Sequence, residues 1–289
     1  MLSLHTNAAA LSTQRNLGTS QSALTTSMTR LGTGLRINSA MDDAAGLQIA
    51  TRMDAQSRGM QAAMKNTQNG ISMLQTAEGA LGEVSSILLR MKDLATEGAN
   101  GTASADDKTA MQSEFDALGK EMGNIMKNTS FGGEALLDKT AGKLGSATVD
   151  FQIGASAAEK MTVDLKTGLT ALDTALGGAS AAYTTPGTAG TELTSAGGAN
   201  AQITKLEAAL KAVGTVRSDM GANANRLDHV YNNLGNMDSN TKMAKGRIMD
   251  TDYATEQAKM TSNQMLMQAG TSMLKQSGSM SQMVMSLMQ

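Results

Sequence analysis

Long stretches of this chain place an apolar residue at every third or fourth position, which is the spacing of one face of an α-helix. The longest stretch runs from Ile49 to Met91, and the sequence holds a single proline, Pro186, to interrupt it or any other helix. Spacing sustained over this length is typical of a coiled-coil seam. A shorter stretch starts near Asp106, and the pattern returns after Ile203. The sequence therefore predicts a mainly α fold of long antiparallel coiled-coil-like helices.

The centre of the chain has a different pattern. Residues 147–153 and 160–165 alternate apolar and polar side chains, as half-buried strands do. Residues 177–200 are rich in Gly, Ala, Ser and Thr, which predicts a surface loop or a very small variable element. We therefore expect one small β-hairpin element between two helical blocks.

Several residues mark helix ends. Gly98 and Gly101 are expected to end the long helix. Ser39, with Asp42 three residues later, resembles a capping box before that helix. The residues from Asp250 to Asp252 supply caps for a break near the C-terminus. The helical block before the centre is thus divided twice, and the block after it once.

Composition excludes several classes of function. There is no cysteine, so neither a disulfide framework nor a thiolate metal site is available. The net charge of -2 implies no strong attraction to nucleic acid or to an anionic membrane. No apolar run reaches the roughly 18 residues of a membrane span, and the N-terminus lacks the pattern of a secretory signal peptide. Asp250, Asp252 and Glu256 lack the glycine of a calcium-binding turn, so no metal site is predicted there. No base or nucleophile accompanies the carboxylates of Asp42 and Asp43, and no cofactor or enzyme activity is predicted.

The two ends of the chain carry few charges. Residues 1–35 contain two arginines and no acid, and residues 257–289 contain two lysines and no acid. A helix this poor in charge is normally enclosed by neighbours, either in a self-contained bundle or between many copies of the chain. In the second case we expect the ends to order only on assembly, because ordering costs roughly 1–2 kcal/mol per residue. The apolar positions expected to pack there are Leu24, Met28, Leu31, Leu35, Leu266, Met273, Met280, Val284 and Leu287.

Motifs at both ends resemble those of bacterial flagellin. Residues 31–50 read LGTGLRINSAMDDAAGLQIA, which is similar to the family's N-terminal signature with Thr33 where Ser is common. Residues 247–256 read RIMDTDYATE, and residues 266–274 read LMQAGTSML, both similar to its C-terminal block. The resemblance covers roughly residues 1–140 and 200–289. Several motifs in the right order at both ends make it specific.

The resemblance implies a structural subunit that assembles helically into the flagellar filament for motility. Residues 1–40 and 255–289 would be terminal helices paired in the filament core, the inner tube. Residues 41–140 and 200–254 would form a helical rod domain, and residues 141–199 a small β and loop variable region. The implied partners are further copies of the chain, an export chaperone on the C-terminal helix, and the filament cap and hook-junction proteins. Export would use the flagellar secretion system without a cleaved signal peptide.

The resemblance also implies contact with a host innate immune receptor. Arg90, Leu94 and Glu114 match the positions that matter in the family, whereas Leu89 departs from the glutamine common there. Ordinary solvated helix charges are the alternative explanation of Arg90 and Glu114.

Two other functions remain open from the sequence. A hook–filament junction protein, or hook-associated protein, would share the helical ends, with weaker agreement to the flagellin signature. An amphipathic membrane-binding protein could explain the methionine-rich tail, although two lysines would attach it only feebly to lipid.

Overall fold

The structure is a computed structural model that describes residues 7–185, 187–195 and 197–287, with side chains as far as residue 279. Helices and two short hairpins account for most of the described chain. The elements are α1 (Ala8–Thr33), α2 (Ala44–Gly98), α3 (Ala105–Asn128), β1 (Ser130–Phe131), β2 (Glu134–Ala135), α4 (Lys143–Ser146), β3 (Val149–Gln152), β4 (Lys160–Val163), α5 (Lys166–Ala179), α6 (Ala181–Thr184), α7 (Gly198–Met249) and α8 (Tyr253–Leu287). The mainly α fold is confirmed.

The chain divides into two compact units. Unit 1 combines the two ends of the chain, up to Ser57 and from Ser239 onward, and unit 2 comprises Arg58–Asp238. The ranges of α2 and α7 include residues of both units. The three-part division at residues 40, 140, 200 and 254 remains a prediction based on the resemblance.

Unit 2 contains a continuous hydrophobic core. Helices α2, α3, α5 and α7 each contribute apolar side chains at helical spacing, so that one stripe of each is buried. Phe115 and Met122 of α3 are completely buried, as the spacing of that segment predicts. The predicted seam of α2 lies in the same core from Ile71 onward, whereas Ile49, predicted on that seam, is exposed in unit 1.

The predicted hairpin is formed by β3 and β4, which pair antiparallel with Val149 opposite Val163 and Phe151 opposite Met161. A second hairpin, which the sequence did not predict, is formed by the two-residue strands β1 and β2. Its turn places Gly132 and Gly133 at φ 61° and 87°, values that favour glycine and belong to the tight turns of short hairpins.

Two local predictions were wrong. Helix α2 begins at Ala44, and its first turn is capped by Asp43, whose Oδ1 accepts the Gly46 N–H at 2.8 Å. The expected capping pair instead closes the preceding turn, where the Ser39 N–H donates to Asp42 Oδ2 at 2.9 Å. The predicted loop at 177–200 is also partly helical, because the end of α5 and all of α6 lie within it.

In unit 1, backbone hydrogen bonds join the segment that follows α1 to the end of α7 and the residues after it, a region that we call the base of unit 1. The Arg36 N–H donates to the Met249 carbonyl at 2.6 Å, and the Thr251 N–H donates to the Gly34 carbonyl at 3.0 Å. Gly34 ends α1 in the left-handed conformation, at φ 73°. At the same base, Ile37, Ala50 and Met249 form a small buried cluster. The predicted break between α7 and α8 lies here as expected.

Candidate assembly surface on the terminal helices

Helices α1 and α8 pack against each other as an antiparallel pair. Their least exposed residues recur at alternating spacings of three and four, which is the pattern of a two-stranded coiled-coil seam. Those of α1 are Ala10, Thr13, Leu17, Ser20, Leu24, Ser27 and Leu31, and those of α8 are Glu256, Met260, Asn263, Met267, Gly270, Leu274 and Ser277. Many of these side chains are small or polar, so the seam buries little apolar area.

Close contacts along the seam fix how the two helices meet. Leu17 Cδ1 lies 2.7 Å from the position that a Cβ atom on Gly270 would occupy. The absence of a side chain at Gly270 therefore leaves room for the leucine side chain. Nearer the start of α1, Asn7 donates through Nδ2 to Ser277 Oγ at 2.9 Å. The Oδ1 atom of the same Asn7 accepts the Ala10 N–H at 3.1 Å and caps α1.

One carboxylate is buried in the seam. The Ser27 hydroxyl donates to Glu256 Oε1 at 2.7 Å, and Lys259 donates to Oε2 of the same group at 3.4 Å. The hydrogen bond from Ser27 lowers the pKa of Glu256 below its ordinary value, and the positive charges of Lys259 and Arg30 lower it further. Glu256 therefore stays ionised although it is buried, because its charge is hydrogen-bonded and paired.

The outward faces of the same helices expose large apolar side chains. Leu11, Met28, Met265, Leu266 and Met273 are each between 46% and 64% exposed. Apart from a few basic residues, their neighbours on these faces are Gln, Ser, Thr, Asn and Ala. Exposed apolar side chains without charged neighbours are a feature of surfaces that bind other proteins.

The predicted packing residues lie at several different places in unit 1. Leu24 and Leu31 lie in the seam between α1 and α8, whereas Met28, Leu266 and Met273 are on the outward faces. Leu35 follows the end of α1 and forms an isolated β-bridge with Asp250 at the base of unit 1. The side chains of Met280, Val284 and Leu287 lie outside the described residues.

Of the fourteen seam residues, the sequence predicted only Leu24 and Leu31, and Ser27, Glu256 and Gly270 are among those it did not single out. The complete alternating spacing is visible in the sequence only when Ser, Thr, Asn, Gly and Glu are counted with the apolar residues. Because an apolar periodicity search ignores those residue types, it gives the outward and inward residues equal weight.

In unit 2, the predicted receptor residues differ in exposure. Arg90 of α2 donates through Nη2 to Glu114 Oε1 of α3 at 2.7 Å, and both side chains are about half exposed. Leu94 is 2% exposed and belongs to the hydrophobic core. Leu89, which departs from the family's pattern, is exposed beside Arg90. The three predicted residues therefore do not form one surface.

The described residues were also searched for membrane spans and metal sites. No helix among them combines the length and hydropathy needed to cross a membrane. No group of three His, Asp or Glu side chains in this part of the chain could hold a metal ion.

Comparisons with known proteins identify relatives over the whole chain. The sequence model of the bacterial flagellin N-terminal helical region matches residues 4–142, and that of the C-terminal helical region matches residues 203–288. A flagellin of Halalkalibacterium halodurans is 40% identical over 98% of each chain. Flagellin A of Vibrio anguillarum is 36% identical over 100% of both chains.

A solved structure, described only as a proposed flagellar hook-associated protein from Vibrio parahaemolyticus, also superposes, with a TM-score of 0.55. It covers 72% of this chain and 100% of its own, at 15% sequence identity, so the likeness shows the fold alone. The family matches at both ends and the full-length relatives carry the assignment: this chain belongs to the bacterial flagellin family.

Proposed function

We infer that the protein is a structural subunit that assembles helically with copies of itself into the bacterial flagellar filament, the organelle of motility. The observation that carries this function is the match to flagellins over nearly the full length of both chains. Flagellins are structural proteins and not enzymes, so the expectation of no enzyme activity is confirmed by family membership.

The terminal helices are the proposed packing surface between subunits. Leu24 and Leu31 hold α1 against α8 within one subunit, and the outward Met28, Leu266 and Met273 contact neighbouring copies. Met280, Val284 and Leu287, which the sequence predicts as packing residues, are included in the proposal. Support comes from the exposed apolar side chains and from the lack of acidic residues in both terminal segments. Burying such faces between copies would remove apolar area from water without desolvating many charges.

The proposed route to the filament is export through the flagellar secretion system without a cleaved signal peptide. A chaperone would hold α8 before assembly, since its exposed Met265, Leu266 and Met273 need cover in the free chain. The filament cap and the hook-junction proteins are the other proposed partners. The hook-associated alternative is not favoured, because the solved structure of that description shares 15% of its sequence with this chain, against 36% and 40% for the flagellins.

Contact with a host innate immune receptor is a further proposal, supported by the exposed pair of Arg90 and Glu114. Leu94 would contribute indirectly, by stabilising the core of unit 2 below the helix surface that carries Arg90, because its side chain is buried. Arg90→Ala should weaken receptor signalling with little change in the thermal stability of the subunit. Leu94→Ala should weaken both. Unchanged signalling by both variants would remove the receptor from the list of partners.

Seeded assembly tests the main function. Purified full-length protein, added to short filament fragments of itself, should elongate them into long helical filaments that are visible by electron microscopy. A matched variant that carries Asp at both Leu266 and Met273 should leave the seeds short, because it places charges on the outward face of α8. Short caps or soluble bundles from the unmodified protein, under every nucleating condition, would contradict a filament subunit.

A further inference from the structure

Among the side chains that the structure describes, three methionines lie on the outward faces of the terminal helices. Met28 of α1 and Met265 and Met273 of α8 are 48%, 60% and 64% exposed. We propose that these three thioethers are an oxidation site at which peroxides control whether a subunit can join the filament. The inference rests on the proposed function, since it needs these faces to be covered on assembly.

Accessibility separates these methionines from those of the core. Met60, Met91 and Met122 are at most 1% exposed in unit 2. A peroxide must reach the sulfur atom to react with it, so oxidation of the free subunit begins at the exposed side chains. The terminal-helix methionines are therefore among the first to be modified, while the core methionines are protected by the fold.

The chemical step is an oxygen transfer to sulfur. A lone pair of the thioether sulfur attacks one oxygen of hydrogen peroxide, an S–O bond forms and the O–O bond breaks. The sulfur loses two electrons and the peroxide gains them, and the departing hydroxide takes the remaining proton to leave as water. The product, methionine sulfoxide, is polar, and its formation is reversible by methionine sulfoxide reductases.

The new oxygen affects assembly because of its surroundings. In the free subunit the sulfoxide is hydrated, so the fold is not disturbed. When an apolar surface of a neighbour covers it, the oxygen loses water. Nearby hydroxyls such as those of Thr25, Thr261 and Ser272 already donate to carbonyls of their own helix, so they do not replace that water. An oxidised subunit is thus excluded from the growing end, whereas a subunit already in the filament is shielded from the oxidant.

Met41 provides an internal control. It is 96% exposed, and it precedes Asp42 and Asp43 in the loop between α1 and α2. Its neighbours are charged and require water, so a sulfoxide at this position keeps its hydration. Met41 should therefore react readily without excluding the subunit from the filament.

Partial oxidation followed by seeded assembly tests the proposal. Full-length subunit is treated with hydrogen peroxide to an average of one sulfoxide per chain, and filament seeds are then added. Polymer and unassembled protein are separated by sedimentation, and the sulfoxides in each fraction are mapped by peptide mass spectrometry. Sulfoxide at Met28, Met265 or Met273 should be depleted about tenfold from the polymer, the effect of one buried oxygen without a donor. Sulfoxide at Met41 should be equally frequent in both fractions.

Equal distribution of all these sulfoxides between the fractions would overturn the proposal. A combined Met28→Leu, Met265→Leu and Met273→Leu variant should retain far more seed elongation after peroxide than the unmodified sequence does, because leucine conserves the packing volume and has no sulfur to oxidise. Met41→Leu should lose assembly on oxidation as the unmodified sequence does. If untreated protein elongates seeds and fully oxidised protein does so equally, only the oxidation site is wrong. If untreated protein does not elongate seeds, the proposed function fails as well.

Discussion

Helices α1 and α3 are nearly equal in length, with 26 and 24 residues, yet they differ greatly in how many of their residues are buried. Helix α3 buries six of its residues, among them Phe115 and Met122. Helix α1 buries only Leu24 and Ser27. Since helices in proteins owe most of their stability to packing of one face, α3 is stabilised by its own chain to a much greater extent than α1 is.

The same contrast holds for unit 2 and unit 1 as a whole. Unit 2 has a continuous core of buried apolar side chains from four long helices. Unit 1 has a small cluster at its base and a seam that is rich in Ser, Thr, Asn and Gly. Unit 2 is therefore stabilised by its own core, whereas we infer that the terminal helices gain most of their packing from other copies of the chain.

The largest expected effect is a cavity in the core of unit 2. Phe115→Ala should lower the free energy of unfolding of the monomer by about 3–5 kcal/mol, because it removes a fully buried ring. Leu11→Ala on α1 should change it by less than about 0.5 kcal/mol and should instead slow seeded assembly. Chemical denaturation of dilute monomer measures both. Equal losses from the two variants would show that the units are equally well packed.

The next largest expected effect comes from two hydroxyl groups, one in each unit, that each donate a hydrogen bond to a carboxylate. Tyr183 in unit 2 donates to Asp173 Oδ1 at 2.7 Å, as Ser27 in unit 1 donates to Glu256 at 2.7 Å. Tyr183→Phe should cost about 1.5–3 kcal/mol in monomer unfolding, the usual range for hydrogen bonds to charged groups. Ser27→Ala should leave monomer unfolding unchanged and lower the melting temperature of the filament. A large loss of monomer stability from Ser27→Ala would contradict the comparison.

A smaller effect depends on pH in unit 1. The folded pKa of Glu256 is lowered by the Ser27 hydroxyl and then by nearby cations, so its ionised form stabilises the helix pair. That stabilisation is complete above the unfolded pKa of a glutamate and is lost as the pH falls through the lower, folded value. The melting temperature of filaments should therefore fall on acidification below about pH 4.5. The Glu256→Gln variant should show a flatter dependence.

The Glu256→Gln variant is needed as a control because the pKa values of neighbouring carboxylates are also lowered. Backbone N–H groups of Asn38 and Ser39 lower the pKa of Asp42, and the Thr255 hydroxyl lowers that of Asp252. Only the difference between the unmodified sequence and Glu256→Gln reports the buried contact. Identical pH profiles would mean that Glu256 does not stabilise the helix pair.

The smallest expected effect compares two helix caps. Ser104 accepts the Asp107 N–H at 3.1 Å at the start of α3, and Asn7 accepts the Ala10 N–H at 3.1 Å at the start of α1. Ser104→Ala should cost about 1 kcal/mol in monomer unfolding. Asn7→Ala should cost nothing measurable there, because α1 contributes little to the stability of the free subunit. Thermal melts followed by circular dichroism distinguish the two.

The sequence predicted the elements that follow a strong periodicity. The seam of α2 from Ile71 onward, the stripe of α3 and the alternation of β3 and β4 are each repeated often enough to identify their type. The end of α2 at Gly98 and the break before Tyr253 were also predicted, since glycine and aspartate mark helix ends through their own chemistry.

Features that depend on tertiary contacts were missed. Helix α5 has Leu169, Leu172 and Leu176 at helical spacing, but its glycines and threonines weakened that signal. The cap of α2 was assigned to Ser39 because Asp42 also satisfies that pattern, and only the geometry selects Asp43. Likewise, the spacing of Met28, Leu266 and Met273 could not tell residues facing the partner helix from residues facing outward.

Hydrogen exchange tests the central claim most directly, because it reports the protection of each helix separately. Amide exchange should be measured on dilute monomer and on assembled filaments of the same protein. We predict rapid exchange of α1 and α8 in the monomer, strong protection of α2, α3 and α7 within unit 2, and protection of all five helices in the filament. Terminal helices that are already as protected in the monomer as in the filament would contradict the claim that neighbouring copies stabilise them.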